Sequence, residues 1–329
     1  MIIDCHTHTI SPAAIAAMQG RVPPGAIPYQ RDMTDESKAV DAAQMPQLGR
    51  GFNDLATRAA VMAAMRVDHQ VVLPAPGQQH YWADGVLMAE LARMQNDHVA
   101  ALVAKDSARM TGVGTLPLPH PDLAVAEARR AVRDLGLRGF QIDSRADAME
   151  LSDPALDPVY AALVDLDAAL IVHPLGFSHG PRLGAFFMVN TVGQPLEEII
   201  AINHLIFGGV LDRHPGLRVM VAHGGGYFPY YAGRMDHAWQ ARPELRRLIA
   251  VPPSAYLRRM WYDTCVFDAD TLARLVVLAG PDRVMLGSDY PFDMGDADPL
   301  ALVEAAVPDA GARAQITHGT ARAFFRITV

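Results

Sequence analysis

Two histidines two residues apart, His6 and His8, follow the first apolar run of the chain, Met1 to Cys5. In extended backbone alternate side chains point the same way, so such a pair directs two imidazoles into one cavity, where they can chelate a metal ion. Further along, His173 follows the run Ala169 to Val172, His223 follows Arg218 to Ala222, and Asp289 lies just beyond Arg283 to Leu286. Any one of these alone reads equally well as a polar residue capping a strand. Metal-competent side chains at four strand ends in one register point instead to a divalent ion held at one end of a sheet.

The elements that must position them recur along the chain. Short aliphatic and β-branched runs stand at Met1 to Cys5, Gln70 to Pro74, Thr111 to Leu116, Arg138 to Ile142, Ala169 to Val172, Arg218 to Ala222, Met260 to Thr264 and Arg283 to Leu286. Helix-length segments separate them: Ala83 to Lys105, Asp122 to Leu135, Asp153 to Asp167, Pro195 to His214, Tyr231 to Ile249, Asp268 to Leu278 and Pro299 to Ala306. Alternating strands and helices predict parallel β-α units, and continuous apolar strands predict burial on both faces. Eight such units close into a (β/α)8 TIM barrel, whose sites lie at the C-terminal ends of the strands. We therefore read residues 1–329 as a single barrel domain. One stretch breaks the rhythm, about residues 9–52, with Pro12, Pro23, Pro24, Pro28 and Pro46. It is too long for an ordinary loop and, emerging after the first strand, predicts an insertion over the barrel mouth, a lid or substrate-contacting arm.

Composition narrows the partners. Half of the 329 residues are hydrophobic, 19% are charged and the net charge is −8. The excess negative charge argues against binding nucleic acid or an anionic membrane, and a cytoplasmic setting is expected, since the N-terminus reads as no signal peptide or span. Cys5 and Cys265 are too few for a disulfide scaffold. No Gly-rich nucleotide loop is found, and no organic cofactor is expected.

His6-Thr7-His8, the later strand-end histidines and Gly287-Ser-Asp289-Tyr-Pro-Phe292 resemble the amidohydrolase superfamily, in the branch called amidohydrolase family 2. Gly114-Thr-Leu-Pro117, Val172-His-Pro174, Ala222-His-Gly-Gly-Gly226 and Gly233-Arg234 carry the likeness further, to non-oxidative decarboxylases of carboxylated muconate semialdehydes within that branch. The resemblance implies one divalent ion on His6, His8, His173 and Asp289, with His223 handling the proton of metal-bound water; its alternative is a fifth ligand. Binuclear relatives bridge two ions with a carbamylated lysine after the fourth strand. That strand here ends Gln141-Ile-Asp143, and the chain's two lysines, Lys38 and Lys105, lie elsewhere. Three imidazoles and a carboxylate suit Zn²⁺, with Mn²⁺ as the alternative.

The same resemblance implies a carboxylate substrate gripped by arginine. Arg234 matches a residue that crosses a homodimer interface, and Arg50 stands nearest a second family arginine, before the first long helix. Phe292 matches a substrate-contacting aromatic, His179 is a candidate to enter from the loop after the fifth strand, and Leu175 replaces a family aromatic, which reshapes the pocket. The expected activity is a carbon-carbon lyase acting on a carboxylated muconate semialdehyde or related aromatic acid. A metal-dependent hydrolase of a lactone, amide or C–C bond is its rival, because fold and metal alone do not fix the reaction.

Overall fold

The computed structural model describes residues 1–175 and 180–328. Its frame is built from short strands: β1 (Ile3–Thr9), β2 (His69–Pro74), β3 (Met110–Gly112), β4 (Gly114–Thr115), β5 (Gly139–Ile142), a small antiparallel ribbon β6 (Arg145–Ala146) and β7 (Met149–Glu150), then β8 (Ala169–Val172), β9 (Val219–Val221), β10 (Trp261–Asp263) and β11 (Val284–Met285). One parallel sheet runs β1-β2-β3 and the other β4-β5-β8-β9-β10-β11. Both seams between them are closed. Val113 donates its N–H to the Val72 carbonyl at 3.0 Å; across the other seam Cys5 donates to Leu286 at 2.8 Å and His8 to Tyr290 at 2.7 Å. With β3 and β4 together supplying the third position, eight parallel strands form the (β/α)8 barrel read from the sequence.

Alternate strand residues part company. Cys5, Val71, Leu73, Ile171, Met220 and Met285 form one apolar cluster with Phe324 and Phe325, whereas Leu170, Val172, Val219 and Val221 pack among the helix residues. The register of β1 against β2 shifts between Asp4 and Thr7. A shift of one residue exchanges the two faces of a strand. Ile3 and Cys5 thus join the apolar cluster, while His6 and His8 present their rings to the site. The histidines lie within β1 rather than after it, because the strand runs on to Thr9.

The insertion carries three helices: α1 (Pro12–Met18), α2 (Pro28–Asp32) and α3 (Asp35–Asn53). The prolines conceal them. Pro12 and Pro28 open their helices, where a missing N–H costs nothing, and Thr34 caps α3 by accepting from Ser37 N–H at 3.2 Å. After α4 (Leu55–Ala64) come α5 (Gly85–Ala104), α6 (Pro121–Arg133), α7 (Asp157–Asp165), α8 (Met188–Thr191), α9 (Gly193–Phe207), α10 (Val210–Arg213), α11 (Phe228–Ala241), α12 (Ala269–Ala279), α13 (Pro299–Ala306), α14 (Ala310–Ala314) and α15 (Thr320–Phe325). The helix expected over Pro195 to His214 is two, broken at Gly209, whose φ of +68° a helix cannot hold. The helix expected from Tyr231 to Ile249 ends at Ala241, since Pro243 disfavours helical backbone at Arg242. Among the described residues no helix is long and apolar enough to cross a membrane.

Arg58 on α4, 1% exposed, ties the insertion to the barrel. Its guanidinium donates to Thr7 Oγ1, Gln70 Oε1 and the carbonyls of His8, Gly51 and Phe52. At Gly51 a Cβ would meet Pro291 at 2.6 Å and the Tyr290 hydroxyl at 2.8 Å. The end of α3 is thus seated on the segment that follows Asp289.

Candidate metal centre

Ligand-capable atoms of His6, His8, His173 and Asp289 all lie within 4.8 Å of one another, and all four residues are buried. The His6 and His8 rings are 4.9 Å apart, and His173 lies 4.9 Å from His6 and 5.2 Å from His8. Each imidazole is held by Nδ1. His6 donates to Asp263 Oδ2 at 2.7 Å, His8 to the Pro74 carbonyl at 3.3 Å and His173 to the Pro174 carbonyl at 3.0 Å. Carbonyls and carboxylates only accept, so in His6 and His173 the proton sits on Nδ1 and the Nε2 lone pair is left for the centre, while His8 Nε2 faces Asp289 Oδ1 at 3.0 Å. Burial pushes His8 down and His173 well down from the ordinary histidine value, which keeps both neutral. Burial opposes ionisation of Asp289, but His6, His223 and His8 outweigh it and hold the carboxyl well below the usual range.

Whether these residues fit an ion can be tested on their unpaired atoms. His6 Nε2 and His173 Nε2 are buried with no hydrogen-bond partner among the described residues. Leaving a buried polar atom unpaired costs about 1–3 kcal/mol. Two such lone pairs beside an ionised carboxylate are relieved together by a cation at the point they share, and N₃O donors are a set that divalent first-row ions accept. The group fits.

His223 stands beside this cluster. Its ring is 4.9 Å from His173 and 5.6 Å from His6, and its Nε2 lies 3.7 Å from Asp289 Oδ2. Nδ1 meets Glu198 Oε1 at 2.5 Å. Burial lowers the proton affinity of His223, but Glu198 and Asp289 more than offset this and hold the imidazole well above its ordinary value. Glu198 is itself raised to about 7, chiefly by burial. The backbone at His223 is left-handed, φ +50°, and is clamped by Asp263, which accepts the N–H groups of His223 at 3.0 Å and Gly224 at 2.9 Å. Such strain persists only where surrounding contacts over-determine it.

Two of these residues escaped the sequence reading. Glu198 lies on α9, an acid among apolar helix residues, and only tertiary packing brings it to His223. Asp263 ends β10 at the same strand position as the residues that were singled out, and that register was the signal available. The glycines after His223 approach the protein rather than an open space: a Cβ on Gly226 would meet Glu198 Oε2 at 2.7 Å and one on Gly225 would meet the Tyr262 ring at 2.6 Å.

Asp289 borders two chambers. The smaller, of about 140 Å³, is lined by His173, Leu175, Phe292 and, from α3, Asp41 and Leu48. The larger, of about 420 Å³, is lined by His223, Tyr227, Tyr230 and Cys265. Phe292 lies in the wall of the smaller chamber, its ring 5.0 Å from His8. Arg50 does not line either chamber, contrary to expectation. The residues of α3 that face the site, Asp41, Gln44, Met45 and Leu48, follow helical spacing, and Arg50 falls on the opposite, exposed side. Arg234 is exposed on α11, outside both chambers of its own chain. His179 lies outside the described residues.

Asp143, at the end of β5, accepts N–H groups from Ser144 at 2.6 Å and Leu175 at 3.0 Å, and so shapes the turn after His173. Burial, against those hydrogen bonds, raises its carboxyl from 3.8 to about 6. A raised folded value favours folding at low pH. The contribution is full below about pH 4 and is lost as pH rises through about 6, by at most about 3 kcal/mol at 1.36 kcal/mol per unit. Asp143→Asn is expected to remove this dependence. Denaturation midpoints of the two proteins at pH 5 and 8 check it: the variant gains relative to the parent at pH 8, and an unchanged difference would contradict the assignment.

The amidohydrolase family profile matches residues 3–327. The chain belongs to the amidohydrolase family. This amidohydrolase is 38% identical over 239 residues to 2-amino-3-carboxymuconate-6-semialdehyde decarboxylase of Dictyostelium discoideum, covering 72% of this chain and 67% of that protein. Its fold is similar to that of 5-carboxyvanillate decarboxylase from Sphingomonas paucimobilis, with a TM-score of 0.86, 26% identity and 99% of each chain covered. It is likewise similar to 5-carboxyvanillate decarboxylase from Novosphingobium aromaticivorans complexed with manganese and 4-hydroxy-3-methoxy-5-nitrobenzoic acid, with a TM-score of 0.86, 25% identity and 99% and 96% of the two chains covered.

Proposed function

We propose that this amidohydrolase is a metal-dependent, non-oxidative decarboxylase that removes CO2 from a carboxylated muconate semialdehyde or a related aromatic acid. The observation that carries the reading is His223, an imidazole whose Nδ1 meets buried Glu198 at 2.5 Å, at the wall of a chamber beside the His/Asp cluster. A divalent ion bound by His6, His8, His173 and Asp289 supplies Lewis acidity toward the substrate's oxygens. The names and folds of the relatives support the same chemistry. For the ion itself, the donor set suits Zn²⁺ or Mn²⁺, and manganese occurs in a similar structure.

The protein's own part is proton delivery and exclusion of water. A proton on His223 Nε2 passes to the carbon bearing the departing carboxylate, forming a C–H bond. The C–C bond to the carboxylate then breaks, its electron pair returns to the conjugated system, and CO2 leaves with no change of oxidation state in the protein. Glu198 keeps the Nδ1 proton in place and orients Nε2. Phe292 and Leu175 offer apolar walls to the conjugated part of the substrate. Metal-loaded protein incubated with ring-cleavage acids and hydroxybenzoates in deuterated water is expected to release CO2 and leave one deuterium at the vacated carbon. Product formed without CO2 would favour the hydrolase instead.

We further propose a cytoplasmic homodimer in which exposed Arg234 serves the partner's site. Mixing inactive Arg234→Ala and His223→Ala proteins under conditions of subunit exchange is expected to restore part of the activity, because a mixed dimer holds one site with native His223 and an Arg234 supplied in trans. Demonstrated exchange without any return of activity would remove Arg234 from the site.

A further inference from the structure

The two chambers meet at one wall. Asn190, Gln194, Asp289 and Met294 border both of them. A ligand held by the ion beside Asp289 therefore lies where the chambers join, and a group at the join must decide which way it extends. Met294 offers a thioether, a weak acceptor at most. Asn190 and Gln194, both half-buried, offer amides, and neither side chain has a hydrogen-bond partner among the described residues.

Gln194 is the better placed of the two because of the helix that carries it. It is the second residue of α9, and Glu198 follows one turn later, so the two side chains share a helix face. Glu198 meets His223 Nδ1 at 2.5 Å, and His223 lines the larger chamber together with Gln194. The start of α9 is held in place: Glu197 accepts from Ser144 Oγ at 2.7 Å, and a Cβ on Gly226 would meet the Pro195 carbonyl at 2.5 Å. One anchored turn thus fixes the amide relative to the carboxylate that grips the proposed acid, and sites on such elements hold their geometry better than sites on loops. Asn190 belongs to the four-residue helix α8, which Val192 separates from α9.

We propose that Gln194 is a ligand-contacting residue: its amide N–H donates to an anionic oxygen of the ligand held by the ion. The hydrogen bond orients the ligand with its reacting carbon toward His223 in the larger chamber and its conjugated body along Leu175 and Phe292 in the smaller one. A hydrogen bond to a charged acceptor is strong enough to change affinity by about tenfold or more, which suffices to choose between two orientations. The orientation toward His223 rests on the decarboxylase reading; the contact itself does not.

Two substitutions separate this contact from a role in packing. Gln194→Met keeps the length of the side chain and removes the donor, whereas Gln194→Glu keeps the shape and puts a negative acceptor in the donor's place. A carboxylate in the first turn of a helix is favoured by the helix dipole, so architecture alone would tolerate glutamate at least as well as methionine. Contact with an anionic oxygen reverses that order. Calorimetric titration of Mn²⁺-loaded protein with salicylate and 2,4-dihydroxybenzoate is expected to give a Kd raised about tenfold in Gln194→Met and further in Gln194→Glu, at unchanged metal content. With acids that release CO2, Gln194→Met should raise KM and lower kcat while the alkaline limb of the kcat profile stays in place, since Glu198 and His223 are intact. A Kd within about twofold of the parent in Gln194→Met, glutamate binding as well as methionine, metal loss in Gln194→Met, or no binding of either acid to the parent would overturn the inference. The expected order of binding with no CO2 from any acid supports the inference and removes the decarboxylase reading. CO2 release with KM and kcat unchanged in Gln194→Met removes the inference alone.

Discussion

Replacing His223 with alanine is expected to leave the metal bound and to lower kcat by about 10²- to 10⁴-fold, the range that positioned acid–base groups contribute. The cluster of His6, His8, His173 and Asp289 is complete without it. Metal content should therefore stay near one ion per chain while CO2 release collapses. Glu198→Gln probes the same device one step back. Glutamine preserves the shape and an acceptor oxygen but removes the buried charge beside Nδ1, so His223 holds its proton less tightly. The alkaline limb of the kcat profile should then move to lower pH, with kcat reduced by about tenfold. Metal loss in His223→Ala, or a Glu198→Gln profile that scales down without shifting, would show that these residues serve architecture alone.

Alanine at His6, His8, His173 or Asp289 is expected to abolish metal binding at micromolar ion and activity with it, because each change removes one of four donors. Activity alone cannot separate lost chemistry from lost folding, so the decisive readout is stability. An ion that binds only the folded chain stabilises it by about 2.7 kcal/mol at one hundred times its Kd. The parent protein should therefore melt at a higher temperature as Zn²⁺ or Mn²⁺ is added, and the four variants should not respond. Chelation followed by readdition should reverse both activity and melting temperature in the parent. Full occupancy by metal analysis in all four variants would place the ion elsewhere.

The barrel was legible because its signal is repeated. Eight apolar runs and the helix-length segments between them leave few alternatives, and strand ends are where the fold gathers side chains. That is why His6, His8, His173, His223 and Asp289 could be grouped from sequence. What remained hidden depends on contacts between elements distant in sequence. Glu198 is separated from His223 by 25 residues and reaches it from a helix, with no periodicity to mark it. Helix α3 was masked by Pro46, although its Thr34 cap and acidic first turn were visible. The same oversight misplaced Arg50: without the helix there was no phase from which to see that Asp41 and Leu48 face the site and Arg50 turns away. The register shift in β1 is equally silent in sequence, yet it decides which way the two histidines point.

Asp263 accepts four hydrogen bonds, from His6 Nδ1 and from the backbone N–H groups of His223, Gly224 and Cys265. One carboxylate therefore fixes the ring orientation of a candidate metal ligand and the backbone from which the proposed acid projects. Ion affinity and protonation cannot be tuned independently through this residue. A double-mutant cycle between His6 and His223 should consequently depart from additivity even though their side chains make no hydrogen bond to each other, since each single change alters the load on the shared anion. For anyone altering the enzyme's reactivity, Asp263 is the point at which an adjustment meant for one half of the chemistry arrives in the other.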